Sequence, residues 1–288
     1  MMDLIAIGKA LDEFNGFLDV RLEKANRSQR AHAAFKRMLR TEERRLRSPV
    51  TELLAQIERE VTSALPKMKK STPAKMADAL ADWDKIEEEG TVLFKPYLLA
   101  LLTVGGDSVM SQRIVKQERF DPINDEAVRW TEKAAATLVT EVTVKTRDGI
   151  RAIIAEGLAE GESLYTIGKE LKTTVGLTER YSLAVGRRLT EMLDKGIPSD
   201  KAFRMAERYA NKLLRARIDN IVRTETSRAL NEGIRQGYGQ MGVKELQRVE
   251  DPDCCEICAL FDGTIYTVRE AAGVLPEHPS CEGALIAA

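Results

Sequence analysis

Apolar residues recur three and four positions apart through most of the chain up to about residue 240, and this interval constrains the fold more than any motif does. Leu4, Ile7, Leu11, Phe14 and Leu18 fall on one helical stripe that Arg21 interrupts after little more than two heptads, which predicts a packed helix rather than a coiled coil. Ser48-Pro49 is an N-cap and first-turn pair. It predicts a helix carrying Val50, Leu53, Leu54, Ile57, Val61 and Leu65, stopped by Pro66. Thr72-Pro73 opens the next, with Met76, Leu80, Trp83 and Ile86, closed at Gly90. An apolar segment from Pro96 to Gly105-Gly106 follows, and then a helix opened by Asp121-Pro122 with Val128, Trp130, Leu138 and Val142 as its buried positions. The run 140–146 is rich in β-branched residues, yet its neighbours predict helix.

Further on, helices are expected over 146–160, 163–171, about 177–194 and 200–240, with Gly161 and Gly196 as breaks. The pair joined at Gly161 has a helix–turn–helix shape only, which packing units share. The last helix carries the strongest signal, its inner face being Phe203, Ala206, Ala210, Leu213, Leu214, Ile221 and Val222. No fixed period appears, which argues against a solenoid. Aromatics at 5%, with 19 Gly and 9 Pro, agree with a helical protein holding few hairpins. The longest nearly uninterrupted apolar run, 97–104, is far short of the roughly 20 residues of a membrane span, so none is expected. Nor is a cleaved export signal, since Met1-Met2-Asp3-Leu4 lacks a basic segment before an apolar one.

The net charge of −1 conceals an asymmetry. Residues 21–47 hold ten Lys and Arg against three acids, whereas 250–288 hold eight acids against one Arg. A basic front suits a polyanion or an acidic partner; a long solvated helix would also carry such charges, and that plainer reading is favoured. Arg204, Arg208, Lys212 and Arg215 line up on one ridge of the 200–240 helix, where like charges repel unless Glu207, Asp219 or a partner neutralises them.

All four cysteines, Cys254, Cys255, Cys258 and Cys281, lie in the last 35 residues, together with His278. Secreted disulfide scaffolds spread their cysteines through a small domain, so this clustering points to a metal and a reducing compartment. Two thiolates three apart on a tight turn and a His and Cys three apart suit a tetrahedral structural Zn²⁺. Cys255, Cys258, His278 and Cys281 are the candidate ligands, with Cys254 diverging from them. The tail's apolar stock (Leu260, Phe261, Ile265, Tyr266, Val268, Leu275) is too small to close a core alone. A Cys255–Cys258 redox pair and an intermolecular disulfide through Cys254 are the alternatives.

An enzyme is not expected. Zinc deaminases need His-x-Glu upstream, and His32 has no Glu two residues on. Phosphate-binding Gly loops and a serine nucleophile elbow are lacking too. Arg223, Glu225 and Asn231 form a polar set with no nucleophile beside it, so they read as a clasp between their helix and the tail rather than as catalytic groups.

Arg223-Thr224-Glu225, Asn231-x-Gly233, Tyr238, Gly242, Asp251-x3-Cys255-x2-Cys258, Leu260-x-Asp262-Gly263 and His278-Pro279-x-Cys281 follow one another as in phage head morphogenesis proteins of the Mu F type, the minor head proteins, which the chain resembles over roughly 146–283. Gly157-Leu158-x-x-Gly161-Glu162-Ser163 is similar to that family's helical lead-in. The family's tail ends His-Pro-Asn-Cys-Arg-Cys; here Gly283 replaces the last cysteine, which makes Cys281 necessary to any four-ligand set, and Phe261 replaces a Leu before Asp-Gly.

The resemblance implies a non-enzymatic virion component inside the capsid near the portal vertex, made in the host cytoplasm and taking part in head assembly and in DNA packaging or ejection; a zinc-dependent enzyme of nucleic-acid metabolism and a cellular zinc-knuckle adaptor are the alternatives. It implies a portal protein as partner, with major capsid or scaffolding protein and double-stranded DNA as further candidates. The basic residues Arg37, Arg40, Arg44 and Arg45, or the ridge Arg204–Arg208–Lys212–Arg215, would supply the contact. The expected fold is mainly α. A helical, partner-binding region 1–145 precedes a helical head-morphogenesis core 146–248, and a Cys/His knuckle tail 249–288 completes a C-terminal α+β module.

Overall fold

The computed structural model describes residues 4–110 and 119–288, and within the first helix the side chains of 4–22, 24 and 25 lie outside the described residues, among them the stripe Leu4–Leu18 and Arg21. The fold is mainly α with a small C-terminal sheet. Helices α1 (Leu4–Ala64), α2 (Pro73–Asp78), α3 (Trp83–Met110), α4 (Asp125–Ala159), α5 (Leu164–Thr174), α6 (Glu179–Asp194) and α7 (Ser199–Gln240) precede β1 (Glu245–Val249), a short turn of helix α8 (Glu256–Ala259), β2 (Ile265–Thr267) and β3 (Ala284–Ala287). The sheet is antiparallel in the order β2-β1-β3, with Leu246 opposite Tyr266 on one side and Ala287 on the other.

Several sequence-predicted breaks are absent. Helix α1 passes through Ser48-Pro49, because Leu46, Val50, Leu53, Leu54, Ile57 and Val61 form one buried stripe on either side of the proline. A proline forfeits one backbone bond, and continuous burial outweighs that local cost. Helix α3 likewise runs through Gly90 and Pro96. Gly90 marks close packing instead of a stop, since a Cβ there would come within 2.8 Å of Val139 Cγ1 on α4. The helix opened by Thr72 ends at Asp78, so Trp83 and Ile86 belong to the next one. Asn124, not Asp121, caps α4, its Oδ1 accepting from the Glu126 and Ala127 amides at 3.0 and 2.9 Å. Val128 is 39% exposed, off the α4 stripe that buries Leu138, Val139, Val142, Ile150 and Ile153. The 140–146 run is helical, and Thr143 and Thr146 return their hydroxyls to the backbone of the preceding turn. Helix α4 crosses position 145 without interruption.

By length and composition α3 could cross a membrane. Its apolar side is occupied by protein, for Phe94, Leu98, Leu101 and Leu102 are fully buried against neighbouring helices. Helix α7 is the common partner of the bundle. Its first half packs Ala202, Ala206 and Ala210 on α6, while Phe203, Leu213, Leu214 and Ile221 are only half-buried. Its second half is enclosed on all sides, taking even Ser227, Asn231, Glu232, Arg235 and Gln236 into the interior. There α3 and α7 meet backbone to backbone: a Cβ on Gly233 would lie 1.9 Å from the Leu102 carbonyl oxygen, and one on Gly105 would lie 2.2 Å from that of Leu230.

Two stability measurements follow. Gly233→Ala forces α7 off α3 and is expected to cost about 3 kcal/mol or more in chemical denaturation. Gly168→Ala, on α5 with nothing within 4 Å, should be neutral or stabilising by about 0.5–1 kcal/mol. At the other end of the bundle, burial and the neighbouring Glu162, Glu156 and Glu160 push the Glu170 carboxyl up to about 7. A raised acid favours the protonated fold, so stability should fall as pH rises from about 4.5 to about 7 and then level. Glu170→Gln should remove that slope, adding about 1–2 kcal/mol at pH 8 once solvent screening of this partly exposed group is allowed for.

Candidate metal centre

The tail wraps its polar atoms around a tight turn. Cys255 precedes α8 and Cys258 lies within it, the Ala259 amide bonding back to the Cys255 carbonyl at 3.0 Å. The strand β1 holds this turn: Gly263 N–H donates to the Arg248 carbonyl at 2.8 Å, and the Glu250 amide donates to Asp262 Oδ1 at 2.9 Å. His278 arrives from the loop before β3. Its Nδ1 bonds the Pro279 carbonyl at 2.9 Å, which leaves Nε2 facing Cys258 Sγ at 3.1 Å and Cys255 Sγ at 3.2 Å. This is the ring orientation that a ligating imidazole adopts, with its far nitrogen fixed by a backbone acceptor. Cys281 Sγ lies 3.7 Å from Cys258 Sγ.

Two ligand groups therefore share Cys258. One is Cys255, Cys258 and His278; the other is Glu250, Cys258 and Cys281, and within each the ligand atoms lie within 4.8 Å of one another. The arrangement is close enough to hold a metal ion. All four thiols are free, with Cys255 exposed and Cys258 and Cys281 buried; Cys254 is half-buried and belongs to neither group. The Cys258 amide lowers the Cys255 thiol below its ordinary range, whereas burial raises that of Cys258. The Pro279 carbonyl raises His278.

A buried arginine that sequence reasoning missed lies beneath the sulfurs. Arg248 is 1% exposed, stacks on Phe261 at 4.7 Å and donates to Glu250 Oε1 at 2.5 Å, Glu277 Oε2 at 2.9 Å and Cys258 Sγ at 3.8 Å. Alternation along β1, which places Leu246 and Arg248 on one buried face, was the available signal, and it is weak for a charged residue.

The clasp differs in membership from the sequence-predicted one. Asn231 bridges to the tail, donating to the Gly283 carbonyl at 3.0 Å and accepting from the Leu285 amide at 3.2 Å. Arg223 turns the other way, to Glu43 of α1 at 3.0 Å, and Glu225 is held by Arg228 at 2.7 Å. Their places are taken by Thr224, which accepts from the Ser280 amide at 3.0 Å, and Asn220, which accepts from the Ser280 hydroxyl at 3.0 Å. Positions 220, 224 and 231 share one helical face, which 223 and 225 flank. The bonds hold Ser280 at φ 63, a left-handed conformation unusual for serine, between His278 and Cys281.

Helix α1 closes the other side, with Lys36 paired to Asp251 and to Glu282 (3.2 Å) and His32 donating to the Glu282 carbonyl at 3.0 Å. Of the basic candidates, Arg37, Arg40 and Arg44 are exposed, while Arg45 is committed to Glu42. Arg204, Arg208 and Lys212 are exposed and without an ion pair among the described residues; Arg215 is exposed and bonds the Asn211 carbonyl of its own helix at 3.2 Å. Asp219 pairs with Arg47 at 2.5 Å instead of serving that ridge.

The chain matches no protein-family model, no curated protein and no solved structure.

Asn231→Ala strips the tail of both bonds and leaves a buried carbonyl and amide unpaired. A loss of about 2–3 kcal/mol is expected. Hydrogen exchange should read it as faster exchange at the Leu285 amide, with α4 unchanged.

Proposed function

We propose that this chain is a structural, non-enzymatic component of a phage or prophage head: a minor head protein that sits inside the capsid at the portal vertex, its tail braced by zinc. The observation that carries the brace is the seating of the Cys/His cluster. Its His278–Cys281 turn is bonded to Asn220 and Thr224 of α7, and the surrounding tail to Asn231 of α7 and to Lys36 and His32 of α1. A group so enclosed by bonds to its own scaffold suits a structural ion. Thiolate and imidazole are donors that zinc takes in structural sites; Cys255, Cys258 and His278 lie within 4.8 Å of one another, and Cys281 and Glu250 join them through the shared Cys258. When bound, the ion would add on the order of 10 kcal/mol of apparent folding free energy in a module of this size.

The cleft of about 260 Å³ beside His278 argues in the same direction. Its charged groups are already spent, Arg228 on Glu225, Lys145 on Glu141 and the buried Arg217 on the carbonyls of Gly176 and Val142. The phage role rests on the ordered motifs from Arg223 to Cys281, and docking falls to the exposed cations Arg204, Arg208 and Lys212 and to Arg37, Arg40 and Arg44 on α1.

Elemental analysis of the purified chain should find one zinc per molecule, and chelation should expose the tail to proteolysis while the helices persist. Co-purification with a phage portal protein should be lost in the triple variant Arg204→Glu, Arg208→Glu, Lys212→Glu. Retention by that variant counts against the ridge as the contact. Binding to double-stranded DNA, if the ridge serves it, should weaken steeply from 50 to 200 mM salt, on the order of tenfold for each few phosphates neutralised.

A further inference from the structure

Position 283 is where this tail departs most from the pattern it resembles, because glycine stands there in place of cysteine. A Cβ on Gly283 would lie 2.6 Å from Glu250 Oε1, 2.8 Å from Glu250 Oε2 and 2.8 Å from Leu275 Cδ2. The Glu250 carboxylate thus fills the volume in which a side chain at 283 would begin. A Glu250 oxygen also lies within 4.8 Å of both Cys258 Sγ and Cys281 Sγ, and all three residues are buried.

We infer that Glu250 is an oxygen ligand of the metal centre, taking on its buried side the place that a thiol at 283 would hold. The inference rests on the metal reading above. A carboxylate only 6% exposed must be compensated, and Arg248 supplies part of this by holding Oε1 at 2.5 Å. The carboxylate retains a second oxygen, and zinc accepts carboxylate oxygen beside sulfur and nitrogen. The charge is consistent as well. Three thiolates and a carboxylate around a dication leave an excess of negative charge, and the Arg248 guanidinium, 3.8 Å from Cys258 Sγ, is the buried cation that offsets it. The competing account makes Glu250 the ion-pair partner of Arg248 and nothing more.

X-ray absorption on the full zinc-loaded chain counts sulfur and light-atom neighbours of the metal and separates the two accounts. With Glu250 bound, three sulfurs and two nitrogen or oxygen neighbours are expected. In the double variant Glu250→Ala, Gly283→Cys, which removes the carboxylate before adding the thiol, four sulfurs and one light atom should appear. Glu250→Gln should weaken zinc binding about 10–100-fold. A wild-type centre with a single light-atom neighbour, His278 alone, overturns the assignment of Glu250 while leaving the zinc brace intact. A wild-type chain that takes up no zinc overturns the brace itself, and Glu250 as a ligand with it.

Discussion

Helices α3 and α7 touch through their backbones, and the rest of the molecule is arranged around that contact. Glycines at 105, 233 and 237 remove the side chains that would otherwise keep the axes apart; even at Gly237 an added Cβ would fall 2.9 Å from the Gly106 carbonyl oxygen. Packed so closely, α7 is surrounded by α1, α3 and the tail over one stretch, and it places Leu230, Ile234 and Tyr238 in the same apolar cluster as Leu246, Leu275 and Leu285. The tail therefore has no core of its own. Its interior is borrowed from α1 and α7, with Phe35 and Leu39 completing the cluster. A short segment that cannot bury enough surface alone is stabilised partly by a scaffold and partly by what its sulfurs can hold.

The sequence made the helical class legible because a 3.6-residue period survives local irregularity, and the buried residues between 50 and 61 of α1 fall where that period predicts. Its punctuation was less informative. Pro49, Gly90 and Pro96 have the local chemistry of helix ends, yet each lies within a helix whose burial is continuous on both sides. Local propensity is worth about a kilocalorie for glycine and about three for proline, and a buried stripe of five or six aliphatic side chains exceeds either. At the candidate metal centre the spacing pointed to residues that the fold brings near one another: Cys255, Cys258 and His278 form one group, and Cys281 lies beside Cys258 in a second. Glu250 and Arg248 were not legible. A guanidinium in a strand and a carboxylate just after it read as surface, and only the fold shows them enclosed together beneath the sulfurs.

The charge asymmetry divides into two parts with different fates. Lys36 pairs with Asp251 and Glu282, so some of the basic front meets some of the acidic tail within one molecule. Arg47 and Arg45 are likewise spent on Asp219 and Glu42. Arg37, Arg40 and Arg44 remain exposed, as do Arg204, Arg208 and Lys212 on a separate stretch of α7. Like charges four residues apart repel by a few tenths of a kilocalorie per pair, a cost small enough to tolerate and sufficient to reward an anionic partner.

The two CxxC thiols differ in acidity. Cys255 is exposed and its thiol is held low by the Cys258 amide, whereas Cys258 is buried and its thiol is raised by that burial. His278 is oriented beforehand by the Pro279 carbonyl and presents Nε2 to both sulfurs. Cys255 thus lies on the exposed side and Cys281 and Glu250 on the buried side, and the two groups meet at Cys258, beside the Ser280 turn that Asn220 and Thr224 of α7 hold.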